Sequence, residues 1–263
     1  MGEPFPAIAE AAAMGETTDL FADIRATVGV RVVNLVWRHL ATMDGALPWA
    51  WAAVKPLYVE GIADAAVGRF RHSMIVPRLT SLAGPEPAGV DAVLASYDHS
   101  NTVNLFALGA LVAKLRGETA ASGTPERGPR LAAPDLPLPP LASEGDVAPD
   151  VWAMVLRLNH FGDRSEPLIL ASMYRQLAGS PAFLKRVKAA LASVQADGTL
   201  DRAITANRET ARTQARTIAR AISAPPPPPV PIEAGVAAFL DHAISKMVTI
   251  CRAIRVARGN AIP

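Results

Sequence analysis

An all-α fold follows from three observations on this 263-residue chain. No stretch sustains the alternation of apolar and polar residues that a half-buried strand needs. Half the residues are apolar and only 5% aromatic, with alanine abundant throughout, a balance that suits closely packed helices better than strands. A segment is also used twice: Val33 to Trp51, VNLVWRHLATMDGALPWAW, returns in fainter form at Ile169 to Leu184, ILASMYRQLAGSPAFL. An ungapped offset of 137 residues sets Arg38 on Arg175, Leu40 on Leu177, Ala41 on Ala178 and Leu47 on Leu184, and matches Trp37 with Tyr174. The expected architecture is two fused helical pseudo-repeats, residues 1–116 and 149–263, joined by a long Pro/Gly-rich linker at 117–148.

In order along the chain, Thr17 or Thr18 is placed to cap a first helix that carries Leu20, Phe21, Ile24 and Thr27 at helical spacing and stops at Gly29. The repeated stretch supplies the next helix, with Val33, Val36, Trp37 and Leu40 as its apolar stripe. Asp44-Gly45 breaks it, and Pro48 opens a third helix toward Phe70 that Pro56 is expected to kink. After a Pro/Gly-marked connection, helices are expected from Val90 to Tyr97 and from Ser100 to Arg116, the second burying Leu105, Leu108, Leu111, Val112 and Leu115. The linker is expected to run extended because of its prolines. Beyond it, Trp152 to Leu158, the repeated motif, a helix from Pro181 to Gly198 and a long one from Leu200 to Ile222 read as helical. Pro225 to Pro229 form a stiff polyproline spacer before a last helix from Pro231 to about Arg258.

Composition narrows the function classes. A net charge of +2 is too small to argue for a nucleic-acid footprint, although arginines gather at Arg202, Arg208, Arg212, Arg216 and Arg220 and at Arg252, Arg255 and Arg258. Their spacing suits solvated helix faces. Cys251 is the only cysteine, so no intramolecular disulfide forms and a cytoplasmic location is expected. The start MGEPFPAIAEAAAMG has no basic region ahead of an apolar one, and no uncharged apolar run reaches the roughly 18 residues of a membrane span.

Local catalytic signatures are absent: no glycine-rich phosphate loop, HExxH, CxxC or GxSxG occurs. The five histidines, His39, His72, His99, His160 and His242, are too scattered to imply a metal site, and no cofactor is expected. Two polar clusters interrupt apolar surroundings. Tyr97-Asp98-His99-Ser100-Asn101 stands at an expected helix start, where Asp98 or Ser100 suits an N-cap, and Asn159 to Glu166 precedes the repeated helix. Asp163 or Glu166 would serve as a general base if held near a substrate and desolvated.

These segments resemble a known family. RVVNLVWRHLATMDGALPWAW, the YDHSN turn before an apolar helix, and SMYRQLAGSPAFL are similar, in the same order and with the long linker between them, to segments of the group I 2-haloacid dehalogenases. The resemblance implies an all-α protein of two fused pseudo-repeats that hydrolyses a carbon–halogen bond beside a carboxylate, an aspartate activating the attacking water. The family's Ser-Asp pair falls on Ser172-Met173, so the base position holds a thioether that takes no proton from water. Asn101 corresponds to the family's pocket asparagine, while Val32 and Leu35 fall where the family has aromatics.

Two functions remain open on these residues. One is a divergent dehalogenase acting on a small 2-halocarboxylic acid, with Asp98, Asp163 or Glu166 replacing the base. The other is a non-catalytic small-molecule binding or sensing protein that retains the interrepeat pocket, anchored by Asn101 and Ser172. Either way the expected partner is a small molecule such as a short carboxylic acid, with no membrane and no nucleic acid, and a homodimer is the assembly kept in view.

Overall fold

Left-handed glycines decide where several helices stop. The computed structural model describes residues 5–85, 87–131, 136–163, 169–223 and 227–259. Helix α1 (Glu16–Val28) ends where Gly29, at φ 75°, turns its N–H back to the Arg25 carbonyl at 2.8 Å. Helices α2 (Leu35–Leu40), α3 (Ala46–Val59) and α4 (Ile62–Ser73) follow. Pro56 is accommodated inside α3; the chain instead breaks at Glu60-Gly61, where Gly61 takes φ 69°. The single kinked helix expected here is thus two helices, divided by the residue that tolerates the left-handed region at no steric cost.

Helix α5 (Ala88–Leu115) is continuous for 28 residues, where the sequence suggested two helices. Asp98 and Ser100 cap nothing: their side chains find partners on other helices, so the backbone ladder runs on through them. In the second half come α6 (Pro149–Asn159), α7 (Ser172–Gln176), α8 (Pro181–Ala196) and α9 (Thr199–Ile218). Helix α10 (Glu233–Phe239) passes through a π-helical turn at Leu240–Ile244 directly into α11 (Ser245–Ala257). That run is long and apolar enough to cross a membrane, but 72% of its most apolar window is buried within the protein, as befits a core helix. The described residues are all-α, without a strand.

Helix starts recur at the sequence offset: α2 begins at Leu35 and α7 at Ser172, and Gly61 and Gly198 precede α4 and α9, both left-handed. The apolar interior forms two clusters. One joins α1 to α4 with Val103–Ala113 of α5 and with Val236, Phe239, Leu240 and Ile244. The other joins α6, α7 and α8 with Val90, Val93, Leu94 and Tyr97 of α5 and with Met247, Ile250, Cys251 and Ile254 of α11. Each of the two longest helical runs therefore gives one end to each cluster. Between the halves the chain lies against both: the Gly128 N–H donates to the Gly61 carbonyl at 3.1 Å, the Leu131 N–H to Asp64 at 2.9 Å, and farther on Gln176 donates to Pro139 O and Arg175 to Ala142 O. Of the polyproline spacer, Pro225 and Pro226 lie outside the described residues, while Pro229 packs beside Gly45.

The two offset-related glycines differ in what a side chain would meet. A Cβ on Gly61 would sit 2.0 Å from the Gly128 carbonyl oxygen; one on Gly198 would meet only the tip of Arg202, at 3.0 Å. Gly198→Ala is expected to cost about 1–2 kcal/mol, the ordinary penalty of the left-handed region. Gly61→Ala is expected to cost more and to raise protease cleavage near Gly128; urea unfolding and limited proteolysis of both variants check this.

Candidate functional site

The middle of α5 carries polar side chains into the interior, and their partners fix one wall of a cleft. Asn34, just before α2, donates through Nδ2 to Ser100 Oγ at 3.1 Å and to Asn101 Oδ1 at 3.2 Å. Its Oδ1 accepts from Asn104 Nδ2 at 3.1 Å, and Asn104 Oδ1 accepts from Trp37 Nε1 at 3.1 Å and Tyr58 Oη at 2.7 Å. With Oδ1 of Asn101 so engaged, its Nδ2 donates to no described side chain.

The opposite wall is the entry to α7, held by Asn159. That buried side chain donates to Ile169 O at 3.0 Å and accepts from the Ala171 N–H at 2.9 Å, fixing the backbone that leads into Ser172. Lys246, almost fully buried on α11, donates to the Asn159 carbonyl at 2.7 Å and so meets the negative end of α6. Burial lowers its pKa from 10.5 to about 8, against the pull of Asp163.

Between these walls lies a cleft of about 430 Å³, counted to its open mouth. Asn34, Leu35 and Val36, Tyr97 and Asn101, and Ile169 to Met173 line it, closed by Phe239, Ala243, Ile244 and Met247. The π-helical turn contributes Ala243 and Ile244, a placement typical of such turns at functional sites. The buried hydroxyls of Tyr97 and Ser172 lie within reach of each other, and neither is matched by any other described group. Burial raises the Tyr97 phenol far above its ordinary pKa, while nearby Arg38, Ser172 and Arg175 pull it down. At neutral pH it is therefore an O–H donor. Two hydroxyls and an amide among apolar walls suit a small molecule with an oxygen-bearing head and a short apolar body.

The structure gathers Leu35, Asn101, Ser172 and Met173 into this one cleft. Val32 is half-buried and does not line it. Asp98 is buried elsewhere, bonded to Arg71, Arg252 and Arg255. Asp163 accepts from His242 Nδ1 at 2.9 Å and likewise does not line the cleft; Glu166 lies outside the described residues. No described lining residue is a carboxylate, and no described group of His, Cys, Asp and Glu is arranged to hold a metal. The wall from Phe239 to Met247 was not anticipated. The repeat offset carries Tyr97–Asn101 to residues 234–238, so the duplication itself pointed toward that helix.

The sequence matches no family model and no curated protein. A D-2-haloacid dehalogenase mutant in complex with D-2-CPA superposes with a TM-score of 0.71 at 16% identity, covering 100% of this chain and 99% of that one. The chain has the D-2-haloacid dehalogenase fold. A second mutant structure of such an enzyme matches with a TM-score of 0.70 at 16% identity, over 97% of this chain and 94% of that one. A D-2-haloacid dehalogenase in complex with L-LA matches with a TM-score of 0.68 at 17% identity, over 98% and 96%.

Lys246 gives this wall a pH signature. Its folded-state pKa lies below the unfolded value, so between about pH 8 and 10.5 the unfolded state binds more protons and stability rises with pH. The rise is on the order of 3 kcal/mol at most. Thermal melts from pH 7 to 10 should show it in the wild type, and the difference from Lys246→Met should isolate it. A parallel pair of curves would remove Lys246 from the account.

Proposed function

We propose that this chain binds a short-chain carboxylic acid, or a molecule of that size and polarity, in the cleft between α2, α5, α7 and the α10–α11 run. The observation that carries this reading is the cleft's composition: donor groups on Asn101, Ser172 and Tyr97 stand among apolar walls, and Met173 occupies the position where the resemblance puts the water-activating aspartate. The dehalogenases of the same fold hold D-2-CPA and L-LA. A bound carboxylate would accept from these donors, with Arg38 and Arg175 near enough to Tyr97 to favour negative charge there.

Hydrolysis of a carbon–halogen bond needs a base within hydrogen-bond reach of the attacking water. The Met173 thioether is not one. Asp98 is committed to three guanidinium groups and Asp163 to His242, so neither is placed for the task. On this reading the protein is a binding or sensing member of this fold, departing from the resemblance at Met173 and also at Val32 and Leu35.

Thermal shift with propanoate, 2-hydroxypropanoate and the 2-halopropanoates should reveal a saturable rise in Tm, equivalent to about 2.7 kcal/mol at a hundredfold excess over Kd. Asn101→Ala and Ser172→Ala should abolish it. No stabilisation by any of these acids would sink the binding reading. Halide release by the wild type would reinstate hydrolysis, whereas release only by Met173→Asp would support the proposed place of the lost base.

A further inference from the structure

Away from the cleft, three guanidinium groups converge on a single carboxylate oxygen. Arg71 at the end of α4 and Arg252 and Arg255 on α11 reach Asp98 Oδ2 at 3.1, 3.1 and 2.5 Å. Asp98 is 2% exposed, and the three arginine side chains only 14%, 7% and 15%. None of the three pairs with another described carboxylate. Three positive charges thus share one negative charge where water is largely excluded, leaving two in excess.

The neighbouring groups do not offset that excess: the nearby carboxylate of Asp64 is already paired with Arg130 at 3.3 Å. Burial keeps His99 below its ordinary pKa, so it is neutral at pH 7, and it is bonded to the Val28 carbonyl at 2.9 Å. Cys251 is held as a thiol by burial. Arg252 is depressed by burial first and, against the pull of Asp98, by Arg71 and Arg255 beside it. Each guanidinium carries five N–H donors, and one bond apiece goes to Asp98. The Arg255 Nε–H is buried and reaches no described acceptor. Both charge and hydrogen bonding are therefore incomplete at the same place, and none of these residues lines the cleft.

We propose that the partly exposed edges of Arg71 and Arg255, backed by Arg252, form a second binding site, for a dianionic oxyanion: inorganic phosphate or the phosphoryl group of a small phosphomonoester. Two negative charges balance the two in excess. A tetrahedral oxyanion presents oxygens in the geometry that planar guanidinium groups grip in pairs. A single chloride satisfies neither requirement.

The test uses the full chain in a phosphate-free buffer at constant ionic strength, titrated with inorganic phosphate, glycerol 3-phosphate and chloride. Thermal shift and phosphorus NMR line broadening are read together. The two phosphates should raise Tm saturably and broaden, with no response to chloride. Arg71→Gln and Arg255→Gln should each weaken binding at least about tenfold, the worth of a lost charge-assisted bond. Arg116→Gln, whose arginine pairs with Glu233 at 2.5 Å in the groove between α5 and α9, should leave it unchanged. Tighter binding of glycerol 3-phosphate identifies a phosphomonoester site, and equal binding identifies free phosphate. A wild type without saturable response, an equal response to chloride, or undiminished binding in both variants overturns the proposal. Arg71 lies at a helix end, so its variant keeps the test open if Arg255→Gln fails to fold.

Discussion

Polar side chains in the interior must find partners there, and the middle of α5 is where this protein meets that demand. From Asp98 to Asn104 the helix buries one acid, one histidine, two asparagines, a serine and a threonine. Their bonds reach Val28 at the end of α1, Asn34 before α2, Tyr58 on α3, Arg71 on α4 and two arginines of α11. Leaving any one such group unmatched costs about 1–3 kcal/mol, a large share of a typical domain's stability. Packing alone would allow these helices to slide; the bonds fix their register. The cleft inherits that register, because Tyr97 and Asn101 lie within or beside the same stretch.

The chain leading into α2 and the chain leading into α7 are secured by different chemistry. In the first half, the Val33 N–H donates to Glu10 at 2.8 Å, and Glu10 is also paired with Arg25. Ahead of α7 a neutral asparagine, Asn159, clamps both Ile169 O and the Ala171 N–H. An acid at that point would stand close to the entry of α7 and to any carboxylate bound there. The neutral clamp avoids that repulsion, while at Tyr97 the pull of Arg38 and Arg175 runs against the charge of Glu10.

How much of this was legible in the sequence depends on the range of the interactions. Local signals gave the helical class and the stops at Gly29 and Gly198, since left-handed glycines end helices for reasons internal to the chain. The grouping of Leu35, Asn101, Ser172 and Met173 came from family resemblance rather than periodicity. Tertiary partners overrode local reading in α5, where Asp98 and Ser100 look like caps until Arg252 and Asn34 are in place. The same partners remove Asp98 as a base. The break at Gly61 in place of a kink at Pro56 was hidden for a related reason, the approach of Gly128, 67 residues later in sequence than Gly61, to that turn.

Because α5 gives one end to each apolar cluster, and the run from Glu233 to Ala257 does the same, neither half owns a complete interior. The arrangement resembles two subunits that have exchanged arms and were then tied together. A break in the tie would leave two fragments, each exposing a sliver of the other's core and each the other's best solvent. Loss of either cluster would strip the second of a helix end, so one cooperative melting transition is expected of a sequence that reads as two units.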